Sequence, residues 1–254
     1  MLKIKKEEIE SLPQFKPSIY WGPGNTLYKV IRKNANENRD DFYLYVSSIQ
    51  DTPGLVLPID LIKDDNIYGY QLPFIENSQN VDEFIRKPNA DTDILEVMKS
   101  IFTALEQINT HIVLGDVRNT NILIKDNKAF FIDWDYGKKI SSKETLLVCY
   151  CLALEKTLIP DSKLSDIFKA LLSALSIYYG IDLEKYFANK DILNLLEALK
   201  TIKSNPILIY YIEYLIEKAR MQDENIDLKF QEVVDYLELP SQKEKERLVR
   251  VLPH

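Results

Sequence analysis

A chain of 254 residues can fold as one large domain or as two small lobes, and either way it can bury a substantial core. Its hydrophobic fraction of 46% and charged fraction of 28% are ordinary for a globular protein, and 32 basic against 39 acidic residues (formal charge -7) argue against a broad nucleic-acid footprint. Two cysteines, Cys149 and Cys151, with His111 and His254 as the only histidines, exclude a disulfide framework and a zinc site.

The two thiols, inside an apolar run, read as buried and reduced, which fits a cytoplasmic protein. Met1 to Glu8 has no apolar signal-peptide core. Ile207 to Ile216 is short and broken by Glu213, so it predicts a core helix, and no membrane partner is expected.

In chain order, the first ~75 residues read as strand-rich and the remainder as mainly helical, an α+β pattern. Ser18 to Trp21 and Thr26 to Ile31 favour strands on either side of Gly22-Pro23-Gly24-Asn25. Glu37 to Gln50 predicts a helix with Phe42, Tyr45, Val46 and Ile49 on one face. Leu55 to Ile62 and Ile67 to Ile75 predict a strand pair, with Lys63 to Asn66 as its turn. A short helix begins at Val81. A long one spans Asp91 to Thr110, where Asp93 and Glu96 suit a capping box. Ile122 to Ile124, the turn Lys125 to Lys128, and Ala129 to Ile132 form a predicted hairpin. Helical spacing then recurs over Glu144 to Leu158, Ser162 to Tyr179, Asp191 to Lys203, Pro206 to Arg220 and Ile226 to Leu237, with Gly180 and Pro206 as stop and start signals. Ser241 to Arg250 is either a last helix or a frayed end.

The chemistry concentrates around that hairpin. Gly115-Asp116-Val117-Arg118-Asn119-Thr120-Asn121 precedes its first strand, and Asp133-Trp134-Asp135 follows its second. Two carboxylates and a carboxamide at one end of a rigid hairpin are the groups that phosphate transfer from Mg-ATP needs, the first to orient a hydroxyl and the others to hold metal. The same residues are open to a plainer reading, as the polar turn residues of an ordinary hairpin.

The spacing Leu114-Gly115-Asp116-x-x-x-x-Asn121, with Asp133-Trp134-Asp135 downstream, resembles the protein-kinase-like superfamily, which includes protein kinases and aminoglycoside and choline kinases. It departs from that pattern at Leu114, where the family usually has histidine. The resemblance implies a bilobal fold, with a small β-rich lobe over residues 1–75 and a helical lobe over 76–254, and implies ATP and Mg2+ as cofactors. It assigns Asp116 and Arg118 to catalysis and Asn121, Asp133 and Asp135 to metal. Gly22 and Gly24 would form the phosphate loop, though Pro23 has no N–H, the third glycine of the family's loop is missing, and a plain hairpin turn fits equally well. Lys29 would pair with phosphate, with Lys33 as its rival. Asp41, or alternatively Glu37, would be the lysine's acid partner. Phe74 and Ile75 would lie where the family binds adenine.

Asp135 reads equally well as a cap or surface charge. The short stretch after it lacks the peptide platform of standard protein kinases. The resemblance therefore leaves three outcomes open: an atypical protein Ser/Thr kinase acting on a protein substrate, a kinase of a small hydroxyl-bearing molecule, and a pseudokinase that binds nucleotide or a partner without turnover.

Overall fold

The structure, a computed structural model, describes residues 1–31, 39–49, 52–63, 67–88, 91–140, 152–188 and 190–252. Its architecture is mixed α/β, and the chain divides into two compact units, Met1–Asn77 and Ser78–His254.

Unit 1 contains α1 (Lys6–Glu10), β1 (Gln14–Lys16), β2 (Ile19–Gly22), β3 (Thr26–Val30), α2 (Asp40–Ser48), β4 (Asp60–Lys63) and β5 (Ile67–Pro73). The strands form one antiparallel sheet in the order β1-β2-β3-β5-β4. Side chains alternate across it. Tyr28, Val30 and Ile62 pack with Ile9 of α1 and with Leu2, Ile4 and Leu12, so the N-terminal segment covers that face. Lys29, Leu61 and Tyr70 share the opposite face, Lys29 and Leu61 each standing opposite Tyr70 in the register. The expected strand over Leu55 to Ile62 begins only at Asp60. The Leu55 N–H donates back to the Thr52 carbonyl, forming a turn at Pro53-Gly54, and Pro58 has no N–H to give a ladder. α2 is shorter than the helix expected over Glu37 to Gln50, and it buries Phe42, Tyr43 and Val46, with Tyr43 in place of Tyr45. Asp64, Asp65, Asn66 and Gln50 lie outside the described residues.

Unit 2 contains β6 (Gln79–Asn80), α3 (Val81–Arg86), α4 (Ile94–Ile108), β7 (Ile112–Val113), β8 (Ile122–Lys125), β9 (Lys128–Phe131), β10 (Lys138–Lys139), β11 (Ala153–Leu154), β12 (Thr157–Leu158), α5 (Lys163–Tyr179), α6 (Leu183–Phe187), α7 (Ile192–Ile202), α8 (Pro206–Arg220), α9 (Phe230–Val234) and α10 (Gln242–Val251). The predicted hairpin is β8–β9. Its turn residues Asp126 and Asn127 both have positive φ, the geometry of a two-residue hairpin turn. At the N-terminus of α4, Asp93 Oδ1 accepts from the Leu95 and Glu96 N–H groups. The reciprocal half of the expected capping box is made differently, because Asn127 Oδ1 receives the Asp93 N–H at 3.0 Å.

α5 is the axis of unit 2, with nearly every residue buried and α4, α6 and α8 packed against it. Ser162 caps its start, and Gly180 ends it at φ +67°, where glycine is the least strained residue. Pro206 occupies the first turn of α8 behind the Asn205 cap.

Two expected helices differ. Of the helix expected over Glu144 to Leu158, residues 144–151, with Cys149 and Cys151, lie outside the described residues. The part that is described is the hairpin β11–β12. Its turn residues Glu155 and Lys156 have positive φ and are anchored from outside, Glu155 by Arg220 at 2.6 Å and the Lys156 N–H by Asp191 at 3.0 Å. The helix expected over Ile226 to Leu237 shrinks to α9, because the Tyr214 hydroxyl accepts the Asp227 and Leu228 N–H groups and holds that stretch as loop. No helix among the described residues is long and apolar enough to cross a membrane.

Candidate active site

β7 leads into the loop 114–121 and β8 leads out. Gly115 turns the chain at φ +74°, a left-handed conformation that disfavours any residue with a Cβ. Asp116 follows, 6% exposed. A short 3-10 turn, Asn119–Asn121, then brings Asn121 back onto it. Asn121 Nδ2 donates to the Asp116 carbonyl and to Asp116 Oδ2, each at 3.0 Å, which closes the loop upon itself.

The Asn121 carbonyl accepts the Ile132 N–H at 2.9 Å, continuing the β8–β9 ladder by one step. Asp133 is the next residue. It adopts φ +62°, ψ +56°, left-handed backbone for a non-glycine residue, and begins the 3-10 turn Trp134–Tyr136 over a fully buried Trp134. The hairpin thus delivers the backbones of Asn121 and Asp133 to its same open end.

What holds this loop comes from residues that the sequence reading did not select. Asp166, in the first turn of α5 and fully buried, accepts the Leu114 N–H at 2.7 Å and the Gly115 N–H at 3.0 Å. One turn later Lys169, 1% exposed, donates Nζ to the Gly115 carbonyl at 2.5 Å and lies 3.5 Å from Asp161. The peptide groups on both sides of Gly115 are therefore gripped by one helix. Asn109, at the end of α4, adds a third contact. In the amide orientation that satisfies its neighbours, Nδ2 donates to the Ile112 carbonyl at 2.9 Å and to Asp166 at 3.3 Å. Burial pushes the Asp166 carboxyl up to about 7, against the opposing pull of Lys169 and the two backbone N–H groups.

A second network surrounds Arg118 and Asn119. Arg118 Nη2 lies 3.4 Å from Glu184 of α6, whose other oxygen accepts the Asn119 N–H at 2.6 Å. Asn119 Nδ2 donates to Asp82 at 3.0 Å and to Asp182 at 3.1 Å. Burial raises the Glu184 carboxyl above its ordinary range, while the Asn119 N–H and Arg118 pull it down and Asp182 and Asp82 add to the rise. Arg118 is thus engaged with Glu184, whereas the resemblance gave it to a transferred phosphate.

In unit 1, Gly22 is the last residue of β2, opposite Thr26, and Gly24 sits in the turn to β3. A Cβ on Gly22 would come within 2.6 Å of the Thr26 hydroxyl, and Gly24 has φ +64°, so hairpin geometry alone accounts for both. Lys29 is three residues along β3 from Thr26, roughly 10 Å at ~3.3 Å per residue, with Nζ 5.8 Å from the Tyr70 ring centre. The two glycines thus lie at one end of the β2–β3 pair and the Lys29 backbone toward the other. Asp41 is exposed, and the acid of α2 that turns to the sheet is Asp40, which accepts the Ile67 N–H at 3.3 Å. Lys33 and Glu37 lie outside the described residues. Phe74 makes edge contacts with Trp21 and Phe15, at ring separations of 4.9 and 5.7 Å, and Ile75 beside it is half-buried.

No group of three or more His, Cys, Asp or Glu residues that could hold a metal occurs among the described residues, so no all-protein cage is offered there. Mg2+ needs none: it is usually bound by one or two carboxylates together with substrate phosphates. Asn121 directs its nitrogen to Asp116, which leaves the amide oxygen as its ligating end, with a long 3.4 Å contact from the Thr120 hydroxyl. An amide oxygen here and the Asp133 carboxylate at the same end of the hairpin are both hard donors, the type that suits this ion. Asp135, the other expected metal ligand, is half-buried in the 3-10 turn that follows Asp133.

Comparison with known proteins found no family model and no curated protein that matches this chain.

Proposed function

We propose that this chain is an ATP- and Mg2+-dependent phosphotransferase of bilobal, protein-kinase-like fold, moving the γ-phosphoryl group of ATP to a hydroxyl. One observation carries the reading. Asp133 is held in left-handed backbone at the mouth of the hairpin whose other strand begins just after Asn121, and Asn121 is bonded to Asp116. Residues held in such backbone cluster at active sites, although hairpin turns such as Asp126-Asn127 and Glu155-Lys156 adopt it too. Loop order, the strand–helix–strand sequence of unit 1 and the hard oxygen donors agree with it.

In this reading Asp116 orients the acceptor hydroxyl and takes its proton late, as the bond to the γ-phosphorus forms and the bond to the ADP oxygen breaks. Asn121 and Asp133 hold Mg2+, which when bound offsets phosphate charge. Arg118, released from Glu184, serves the transferred group. Lys29 is assigned to the α- and β-phosphates by resemblance. Little covalent chemistry falls to the protein, so the rigid grip of Asp166 and Lys169 on Gly115 matters through positioning.

The first reading of the acceptor is a protein Ser/Thr hydroxyl. A second, a small cationic molecule bearing a hydroxyl, is favoured by Asp82, Asp182 and Glu184 gathered beside Arg118. Incubation with Mg-ATP followed by phosphosite mass spectrometry distinguishes them. Autophosphorylation lost in Asp116→Asn supports the first, and transfer only to an added aminoalcohol supports the second. Nucleotide binding without transfer to any acceptor leaves a pseudokinase and rules out the enzyme.

A further inference from the structure

A cavity of about 250 Å³ opens in unit 2 between the end of α4, the start of α5, α8 and the segment 224–231. An apolar cavity of roughly 150 Å³ suffices for benzene, so this one has room for a ring with a short polar arm. Three aromatic residues line it and touch one another, Phe102 with Phe230 at 4.2 Å and Tyr211 with Phe230 at 5.0 Å between ring centres. Such a wall favours an aromatic guest, which can meet it edge or face on.

Its polar groups narrow the guest further. Tyr211 is 1% exposed and lines the cavity, yet its hydroxyl has no hydrogen-bond partner among the described residues. Burial raises its pKa well above the ordinary phenol value, so it stays a neutral O–H donor. Lys229 at the rim is neutralised by Glu106 at 2.6 Å. Lys163, half-buried in the first turn of α5, enters no ion pair among the described residues, and Glu224 stands exposed at the outer edge. With Glu106 and Lys229 paired to one another, the lining charges left over are Lys163 and the exposed Glu224, and the Tyr211 hydroxyl is the donor that stands beside them.

We propose that this cavity is an effector site for a small aromatic carboxylate, its ring against Phe102, Tyr211 and Phe230 and its carboxylate accepting from Lys163 and the Tyr211 hydroxyl. The site reaches the catalytic loop by a short path. Asn109 lines the cavity and hydrogen-bonds Asp166, and Ile167, also in the lining, adjoins Asp166 in sequence. Asp166 in turn holds the Leu114 and Gly115 amides. An occupied cavity braces that grip. The binding claim stands by itself, and only its regulatory meaning rests on the phosphotransferase reading.

The test is calorimetric titration of the full chain with 3-phenylpropionate, with phenethylamine and benzyl alcohol as cationic and neutral counterparts. The expected result is saturable one-site binding of the carboxylate, weakened about tenfold by Lys163→Ala and by Tyr211→Phe and abolished by Ile226→Trp, which fills the space from the loop side. Hydrogen exchange of the Leu114 and Gly115 amides should slow on binding. Absence of saturable binding at millimolar carboxylate, equal or tighter binding of the amine or alcohol, or undiminished binding in Lys163→Ala (a rim variant that does not depend on tolerance of the tryptophan) overturns the site. Binding with exchange at Leu114 and Gly115 unchanged overturns the effector role. Neither readout uses phosphoryl transfer, so an inactive protein would count against the proposed function and leave this result intact.

Discussion

Asp133 occupies left-handed backbone at a cost of about 1 kcal/mol relative to glycine, and in the proposed phosphotransferase the carboxylate that glycine lacks is what the position needs. Asp133→Gly should therefore keep or slightly raise stability in urea denaturation while abolishing Mg2+-dependent transfer; loss of both together would make the residue structural. Asp166 makes the complementary prediction. Its carboxyl is raised in the folded chain to about 7 from an ordinary value of 3.8, so between those values the folded state holds more protons than the unfolded one. Its contribution is complete below pH ~4, is lost as pH rises to about 7, and changes no further above. Denaturation across that range should show stability falling with pH, and Asp166→Asn should reduce this slope, leaving the part that the raised Asp161 and Glu184 carboxyls contribute, while facing an amide N–H toward the Leu114 or Gly115 N–H, a loss of about 1–3 kcal/mol. An unchanged slope in the variant would exclude Asp166 as its source. Lys169→Met strips the cation from a buried Asp161–Asp166 environment and leaves the Gly115 carbonyl without its donor, which should cost about 3 kcal/mol by the same assay.

The β8–β9 hairpin is the element that sets the site. Asn127 serves it twice, by tolerating positive φ in the turn and by accepting the Asp93 N–H at the start of α4. Asn127→Gly keeps the first role and loses the second, whereas Asn127→Ala loses both. Alanine should cost about 1–2 kcal/mol and glycine less than half of that, and equal costs would place the whole effect in the hydrogen bond. This hairpin was legible in the sequence because its turn chemistry, apolar flanks and terminal polar residues all agree. The hairpin β11–β12 was not, since Glu155-Lys156 is no turn signal and long-range contacts to Arg220 and Asp191 hold it. Local pattern could not show the shortened α9 either, because a side chain distant in sequence, Tyr214, holds the preceding loop.

For the molecule as a whole, the division into a strand-rich first part and a helical remainder could be read from periodicity, and the loop Asp116 to Asn121 from spacing. Asp166 and Lys169 could not be read from spacing, about 50 residues away on a helix that looks like an ordinary apolar one. A signal was nonetheless present. Apolar residues surround α5 on all sides, so a carboxylate and an ammonium one turn apart must be buried, and buried charges require partners. For the nucleotide residues expected in unit 1 the sequence was less informative, because two glycines and a lysine on a hairpin also satisfy plain turn and strand geometry. The central claim is that Asn121 and Asp133 hold a Mg2+–nucleotide beside Asp116. Calorimetric titration with a non-hydrolysable ATP analogue, with and without Mg2+, tests it most directly. The account predicts metal-dependent binding that Asp133→Asn weakens at least tenfold in a variant that remains folded. Binding indifferent to Mg2+, or unaltered by Asp133→Asn, would contradict it.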